Sequence, residues 1–278
     1  MAEFSVVIPT YNREKTIIQA VSSVLEQKNP NSSFGISEII IVDDCSDDNT
    51  EAVIESFAEK EAERLEGCNT KIIYHRLPQN SGPGKARNEG AKLAKSEFIA
   101  FQDSDDYWLP EKLMTVAEFI EANPMADIYC HFYEAHLDGG RTITVDAPDL
   151  DDYFEELAVR NLVGAPAIVV RRDAFMDVGG FDENMRALED WDFALRFAYK
   201  HSIRFVPQVL MEVDLTGEGV SSKAGNYYDA RCRIIAGNKD ILIERGVFKK
   251  AVEKLLSDAQ EKGIMKEIAG VLELYLRT

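Results

Sequence analysis

The sequence predicts an α/β fold: a mostly parallel central sheet flanked by helices, followed by a helical C-terminal extension. Two observations carry the prediction. Four strand and helix units alternate between Phe4 and Asn123, the pattern of parallel strands joined by crossover helices. Their strand segments are short, largely apolar runs without polar alternation, as burial on both faces selects. A third observation, carboxylates placed at strand ends, bears on function.

The first strand, Phe4 to Ile8, is a β-branched run closed by Pro9. Glu14 to Gln27 then sets Ile17, Ile18, Val21, Val24 and Leu25 at helical spacing, and Thr10, Tyr11, Asn12 and Arg13 fill the junction, where α/β sheets usually bind ligands. Glu38 to Val42 is the second strand and runs into Asp43 and Asp44. Thr50 opens a helix to about Arg64, with Asp47, Asp48 and Asn49 available as caps. Lys71 to Tyr74 is the third strand, followed by a loop with Asn80, Gly82, Pro83 and Gly84 and a helix from about Ala86 to Lys95. That loop is no dinucleotide fingerprint, which would need glycine at Arg87, and its G-K lacks the Ser or Thr of a phosphate loop. Lys85 and Arg87 remain, able to face a phosphate or a base edge. Phe98 to Phe101 is the fourth strand, and Pro110 to Asn123 a helix with proline in its first turn.

The second half changes character. Asp127 to Tyr133 and Gly164 to Val170 read as strands, with an irregular polar hairpin or loop from Glu134 to Asp152 between them. A short helix over Asp173 to Val178 leads to G-G-F, where Gly179 and Gly180 permit a tight turn and Phe181 can plug a core pocket. Glu189 and Asp190 start a helix that continues toward His201, a position the helix dipole favours for carboxylates. Ile203 to Val213 is a strand or two, followed by the glycine-rich T-G-E-G-V-S-S. From Tyr227 onward two or three amphipathic helices suit a packing or oligomerisation element.

Composition narrows the function. Hydrophobic residues make up 45% of the chain, ample for a sizeable core, and 49 acidic against 31 basic residues give a formal charge of -18. Such a charge disfavours non-specific binding to nucleic acid or to anionic membrane. Cys45, Cys68, Cys130 and Cys232 are scattered without C-x-x-C spacing, which suggests neither a zinc site nor a disulfide framework and fits a reducing cytosol. No stretch approaches a transmembrane span; peripheral attachment at the inner face of a membrane stays compatible with the sequence.

The chemistry gathers at F-I-A-F-Q-D-S-D-D-Y-W, residues 98–108. A buried strand delivers Asp103, Asp105 and Asp106 to its tip, and carboxylates packed that closely repel by roughly a kcal/mol per pair unless a cation or donors sit among them. An oxygen-only set of this kind suits a hard ion such as Mg2+ or Mn2+ bridging to substrate phosphates. The plainer alternative is a solvated acidic turn.

Six pieces then fall in order: S-V-V-I-P-T-Y-N, I-I-I-V-D-D-C-S-D-D-N-T, N-S-G-P-G-K-A-R-N-E-G, F-Q-D-S-D-D-Y-W, V-G-G-F-D-E and E-D-W-D. Together they resemble an inverting nucleotide-sugar glycosyltransferase of family 2 with the GT-A, Rossmann-like fold, over roughly Phe4 to Ser221. The resemblance implies a glycosyltransferase domain over 1–222, with a nucleotide-binding half 1–110 and an acceptor-binding half 111–222, and the helical extension over 223–278. It implies nucleoside binding by Pro9, Thr10, Tyr11, Asp43, Asp44, Arg87, Asp103 and Ser104. It also implies a divalent cation, Mn2+ or Mg2+, on Asp105 with Asp103, and support from Asp106. Asp190 would be the catalytic base and Glu189 would orient the acceptor, with Gly180, Phe181 and Trp191 on the acceptor side. The implied donor is a nucleotide diphosphate sugar, UDP being the more frequent among similar proteins, and the acceptor a glycan, lipid-linked or protein-linked. Relatives often carry a histidine in the loop after the last core strand; this chain has Asp214, Thr216, Glu218 and Ser221 there instead. Two rival classes are a nucleotidyltransferase, which would want a basic glycine-rich loop after the first strand, and a non-catalytic sugar-nucleotide binding or scaffold protein.

Overall fold

The computed structural model describes residues 1–215 and 224–277. The segment T-G-E-G-V-S-S, with Thr216, Glu218 and Ser221, lies outside the described residues. Four strands build the first half of the sheet: β1 (Ala2–Thr10), β2 (Phe34–Asp43), β3 (Lys71–Arg76) and β4 (Phe98–Phe101). They run parallel in the order β3, β2, β1, β4, and the register sets Thr10 beside Asp43. The C-terminal ends of β1, β2 and β4 therefore share one edge, which carries the acids that follow β2 and β4.

Both faces of these strands are buried, and alternate side chains serve two cores. Phe4, Val6, Ile8, Ile39 and Ile41 pack toward α1 (Ile17–Leu25), α2 (Thr50–Lys60) and α5 (Lys112–Ala122). Val7, Ile40, Val42, Ile99 and Phe101 face the other way, toward α4 (Pro83–Leu93), α6 (Phe154–Leu157), α7 (Arg172–Asp177) and α8 (Glu189–Lys200). Continuous apolar strands are the direct consequence. Gly90 lets α4 lie against the sheet, since a Cβ there would run into the side chain of Val7.

Beyond β4 the sheet becomes mixed. β5 (Tyr107–Trp108), β6 (Ile128–Leu137), β7 (Arg141–Val145), β8 (Ile168–Arg171) and β9 (Ile203–Asp214) complete it in the order β4, β8, β6, β9, β5, with β7 on β6. β8 is antiparallel to both neighbours, β6 and β9 are parallel, and β6 with β7 is the hairpin expected within Glu134 to Asp152. A strand of two residues such as β5 leaves no periodic trace in a sequence; its pairing with Met211 and Glu212 creates it.

Some boundaries differ from the sequence reading. The helix expected over Thr50 to Arg64 is two, α2 and α3 (Ala62–Cys68). α4 begins at Pro83 rather than Ala86, because proline sits readily in a first turn and Gly82, at φ 92°, turns the chain into it. The expected strand from Gly164 opens as a 3-10 turn over Ala165–Ala167, around Pro166. Among the described residues C-terminal to β9 are four helices: α9 (Ala224–Gly237), α10 (Lys239–Glu244), α11 (Phe248–Glu261) and α12 (Met265–Arg277). Their buried residues, among them Tyr228, Ile234, Leu242 and Leu255, join the same core as Phe193 and Phe197 of α8. Those side chains pack within the chain, one of the two roles, packing or oligomerisation, that the amphipathic pattern suits. Among the described residues no helix is long and apolar enough to cross a membrane.

Candidate active site

The shared sheet edge gathers most of the expected acids. At the tip of β4, Arg87 reaches from α4 and is gripped from two sides, at 2.6 Å by Asp103 and at 2.8 Å by Glu189. Its side chain is only 5% exposed. Burial alone would weaken its hold on the proton, but Asp103 and Glu189 outweigh that and keep the guanidinium charged. Arg87 thus ties the acidic turn of the first half to the start of α8 in the second, a role beyond the nucleoside contact its position suggested.

Asp190 follows Glu189. Its carboxyl lies deep in the protein while part of the residue stays at the surface, and burial, then the neighbouring Glu189, pushes its pKa up to about 7. The backbone amides of Trp191, at 2.7 Å, and Ala165, at 3.3 Å, donate to its two oxygens. Leu188, just before this pair, sits at φ 60°, a left-handed conformation costly for a leucine and common where a site dictates the backbone. Tyr133 of β6 is electrostatically coupled to both Asp190 and Asp106, and burial raises its hydroxyl's pKa. Sequence reading had no signal for it.

The acidic turn has three environments. Asp105 is half exposed and receives Arg13 at 3.0 Å. Asp103 holds Arg87. Asp106 is buried, its Oδ2 has no hydrogen-bond partner, and burial followed by the charges of Asp103 and Asp105 raises its pKa well above the ordinary range. Ser104 is buried within the turn. Three carboxylates, one of them with an orphaned buried oxygen, suit a hard divalent cation in donor chemistry. Among the described residues, however, no three His, Cys, Asp or Glu side chains converge closely enough to hold an ion.

The nucleoside side divides in a way the D-D pair does not reveal. Asp43 is fully buried, and its carboxylate accepts from the Ser46 amide and hydroxyl, from Tyr74 at 2.5 Å and from Arg76 at 3.2 Å. With about four acceptor positions on a carboxylate all filled, Asp43 pins the loop after β2 and does not face a ligand, which corrects its assignment. Among the described residues Asp44 accepts the amides of Ser81 and Gly82, both at 2.7 Å, so it fixes the loop before α4 while two amides leave part of a carboxylate's acceptor capacity in reserve. Thr10 is buried with an unpartnered Oγ1, Tyr11 is 40% exposed beyond the end of β1, and Pro9 is buried in the strand.

Phe181 and Trp191 need correction as well. Phe181 stacks among Phe101, Phe175 and Phe193, and Trp191 donates to the Leu157 carbonyl at 2.6 Å; both are at most 3% exposed. They are core residues rather than acceptor-lining ones. Gly180, at φ 67°, holds the turn: a Cβ would lie 2.5 Å from Asn88 Oδ1, the atom that accepts the Phe181 amide. Gly180→Ala should lower stability by about 2 kcal/mol in urea unfolding, and an unchanged midpoint would count against this account. Behind the turn lies a concavity of about 720 Å³, lined by Asp192, Arg196 and Arg233 among others, and it does not include Asp190.

The family model described as Glycosyl transferase family 2 matches residues 5–179, and that of Glycosyltransferase like family 2 matches 147–228. The chain belongs to glycosyltransferase family 2. It is 42% identical over 122 residues to the poly(ribitol-phosphate) β-N-acetylglucosaminyltransferase TarS of Staphylococcus aureus, 44% of this chain and 19% of that one. It is 32% identical to the putative teichuronic acid biosynthesis glycosyltransferase TuaG of Bacillus subtilis, over 61% of this chain and 62% of TuaG. The crystal structure of S. aureus TarS 1-349 in complex with UDP superposes with a TM-score of 0.63 at 26% identity, covering 84% of this chain and 64% of that one. A mannosyltransferase from Pyrobaculum calidifontis in complex with GDP-Man and Mn2+ shares the fold at a TM-score of 0.61 and 16% identity, over 98% of this chain and 80% of that one. The chain spans less than two thirds of the length of the curated relatives TarS and TuaG.

Proposed function

We propose that this chain transfers a sugar from a UDP-sugar to a hydroxyl of a surface polysaccharide, in one displacement that inverts the anomeric centre. The observation that carries the reading is Asp190: a deeply set carboxyl with pKa near 7, beside a Glu189 locked through Arg87 to the acidic turn. A carboxylate so tuned accepts a proton at neutral pH more readily than an ordinary one, and general-base help of this kind is worth roughly 100- to 10,000-fold. In this role Asp190 takes the acceptor hydroxyl's proton as its oxygen attacks the anomeric carbon. Glu189 and Arg87 hold the carboxyl's surroundings fixed, and Arg87 sets a charged guanidinium beside the turn where the diphosphate would lie. Asp44, Thr10 and Tyr11 line the nucleoside side, the tyrosine offering an exposed ring to a base.

The UDP and polysaccharide parts of the reading draw on the relatives, whose names give poly(ribitol-phosphate) and teichuronic acid, and on TarS structures containing UDP and UDP-GlcNAc. Asp105 and Asp103 would hold Mn2+ or Mg2+, which supplies Lewis-acid stabilisation of the leaving diphosphate when bound. Asp105→Ala should abolish the increment that Mn2+ adds to UDP affinity in calorimetry; an increment equal to wild type would remove Asp105 from that role.

The reading as a whole is tested by incubating the chain with a panel of UDP- and GDP-sugars and candidate glycan acceptors and measuring nucleoside diphosphate release together with the glycan product. UDP release with product formation is expected. Tight UDP-sugar binding with no turnover on any acceptor would favour a binding protein instead.

A further inference from the structure

Lys112 opens α5 directly behind the acidic turn, and it is fully buried. The rest of its helix face, Leu113, Val116, Ala117 and Ile120, is apolar core. A lysine there is costly, because a buried ammonium needs partners to offset its lost hydration. It has them. Nζ donates to the Pro166 carbonyl at 2.9 Å and lies 3.8 Å from the centroid of the Trp108 ring. Asp106 and Asp103 face it from the turn, and His131 and Cys130 from β6, yet burial outweighs them and holds its pKa well below the ordinary lysine range, leaving Nζ a donor in either protonation state.

The Pro166 carbonyl is what makes this lysine more than a counter-ion. Pro166 belongs to the single 3-10 turn Ala165–Ala167, closed by the Ala167 amide on the Gly164 carbonyl at 2.9 Å. The residue before it, Ala165, donates its amide to Asp190 Oδ2 at 3.3 Å. One short, stiff turn thus carries Lys112 on its carbonyl and Asp190 on its amide. We propose that Lys112 is a positioning residue for Asp190: by tethering the Pro166 carbonyl from within the core, it fixes the 164–167 turn so that the Ala165 amide is presented to the carboxylate. The proposal rests on the reading of Asp190 as proton acceptor, and no contact between Lys112 and substrate is involved.

Lys112→Met replaces the aliphatic stem with an apolar chain one atom shorter and removes the donor. In chain labelled with 13C-aspartate, the Asp190 carboxyl, assigned through Asp190→Asn, should titrate about one pH unit higher in this variant, because a donor to its charged form has gone. Turnover at pH 7 should then fall about fivefold and recover by pH 9, with the donor KM changed less than about twofold, and Lys112→Arg, which retains a cationic donor, should restore much of the loss. A lysine serving only as counter-ion to the turn would move stability and donor KM and leave the Asp190 titration alone; that result overturns the proposal. Where the methionine variant does not fold, Lys112→Gln takes its place, its amide being one bond too short for the Pro166 carbonyl, and an unmoved titration there is equally decisive. In the unaltered chain, an Ala165 amide proton that fails to follow the Asp190 titration overturns it without any substitution. Normal transfer by Asp190→Asn would sink the base assignment while leaving the carboxyl titration of the Lys112 variants to judge the tether.

Discussion

Asp190→Asn should reduce sugar transfer by about 100- to 10,000-fold while UDP binding stays within about twofold of wild type. The asparagine fills the same space and keeps one of the two backbone amide contacts, those from Trp191 and Ala165, through its single oxygen, but it cannot take a proton. Steady-state transfer and calorimetry with UDP separate the two effects, and a variant with normal turnover ends the base assignment. The pH profile is a companion result. Asp190 acts only when ionised, and its pKa is pushed up to about 7 by burial and by Glu189. kcat/KM should therefore climb as pH rises from about 6 to 8 and level off above, whereas a carboxylate at its ordinary value would leave that window flat. Burial apart, the charged groups that set this midpoint are Glu189, which raises it, and Arg87, which lowers it, while Tyr133 and Cys130 face Asp190 and are themselves pushed up by it. In Glu189→Gln the midpoint should fall, since the nearest like charge is gone.

The second large effect belongs to Arg87. Arg87→Met should lower unfolding free energy by about 3 kcal/mol or more, because Glu189 and Asp103 would face each other without the cation between them. The side chains of Arg87 and Glu189 are 5% and 11% exposed, and that of Asp103 is 28% exposed, so solvent rescues little of the lost pairing. Transfer should drop at least about 100-fold as well, since the same guanidinium fixes the acidic turn against the start of α8. Urea unfolding and a transfer assay read the two losses. Stability within about 1 kcal/mol of wild type would mean that the carboxylates relax into solvent and that the bridge between the halves is incidental.

Much of this was legible before any coordinates. Apolar strands without alternation announced a sheet covered on both faces, and the acids at their ends marked the edge where a ligand belongs, because strand direction in a parallel sheet gathers those ends together. The mixed second half was less legible: β5 is two residues long, and β8 is antiparallel on both sides, a matter of which strand it meets rather than of its own residues. Lys112 left a faint trace, a charged residue on an otherwise apolar helical stripe. Asp43 and Asp44 left none to tell them apart.

What the sequence determined by itself is the acid inventory of the site, its placement at strand and helix starts, and the family to which such an ordered set belongs. Burial and partners were decided by the tertiary structure alone. Asp43 is filled by Ser46, Tyr74 and Arg76, Phe181 and Trp191 are turned inward, and Arg87 is closed between residues 16 positions and 102 positions away along the chain. Adjacent side chains of a strand or turn point to opposite sides, so two neighbouring aspartates can differ entirely in hydration and pKa, and only the packing of distant segments around each of them fixes which is structural and which is reactive.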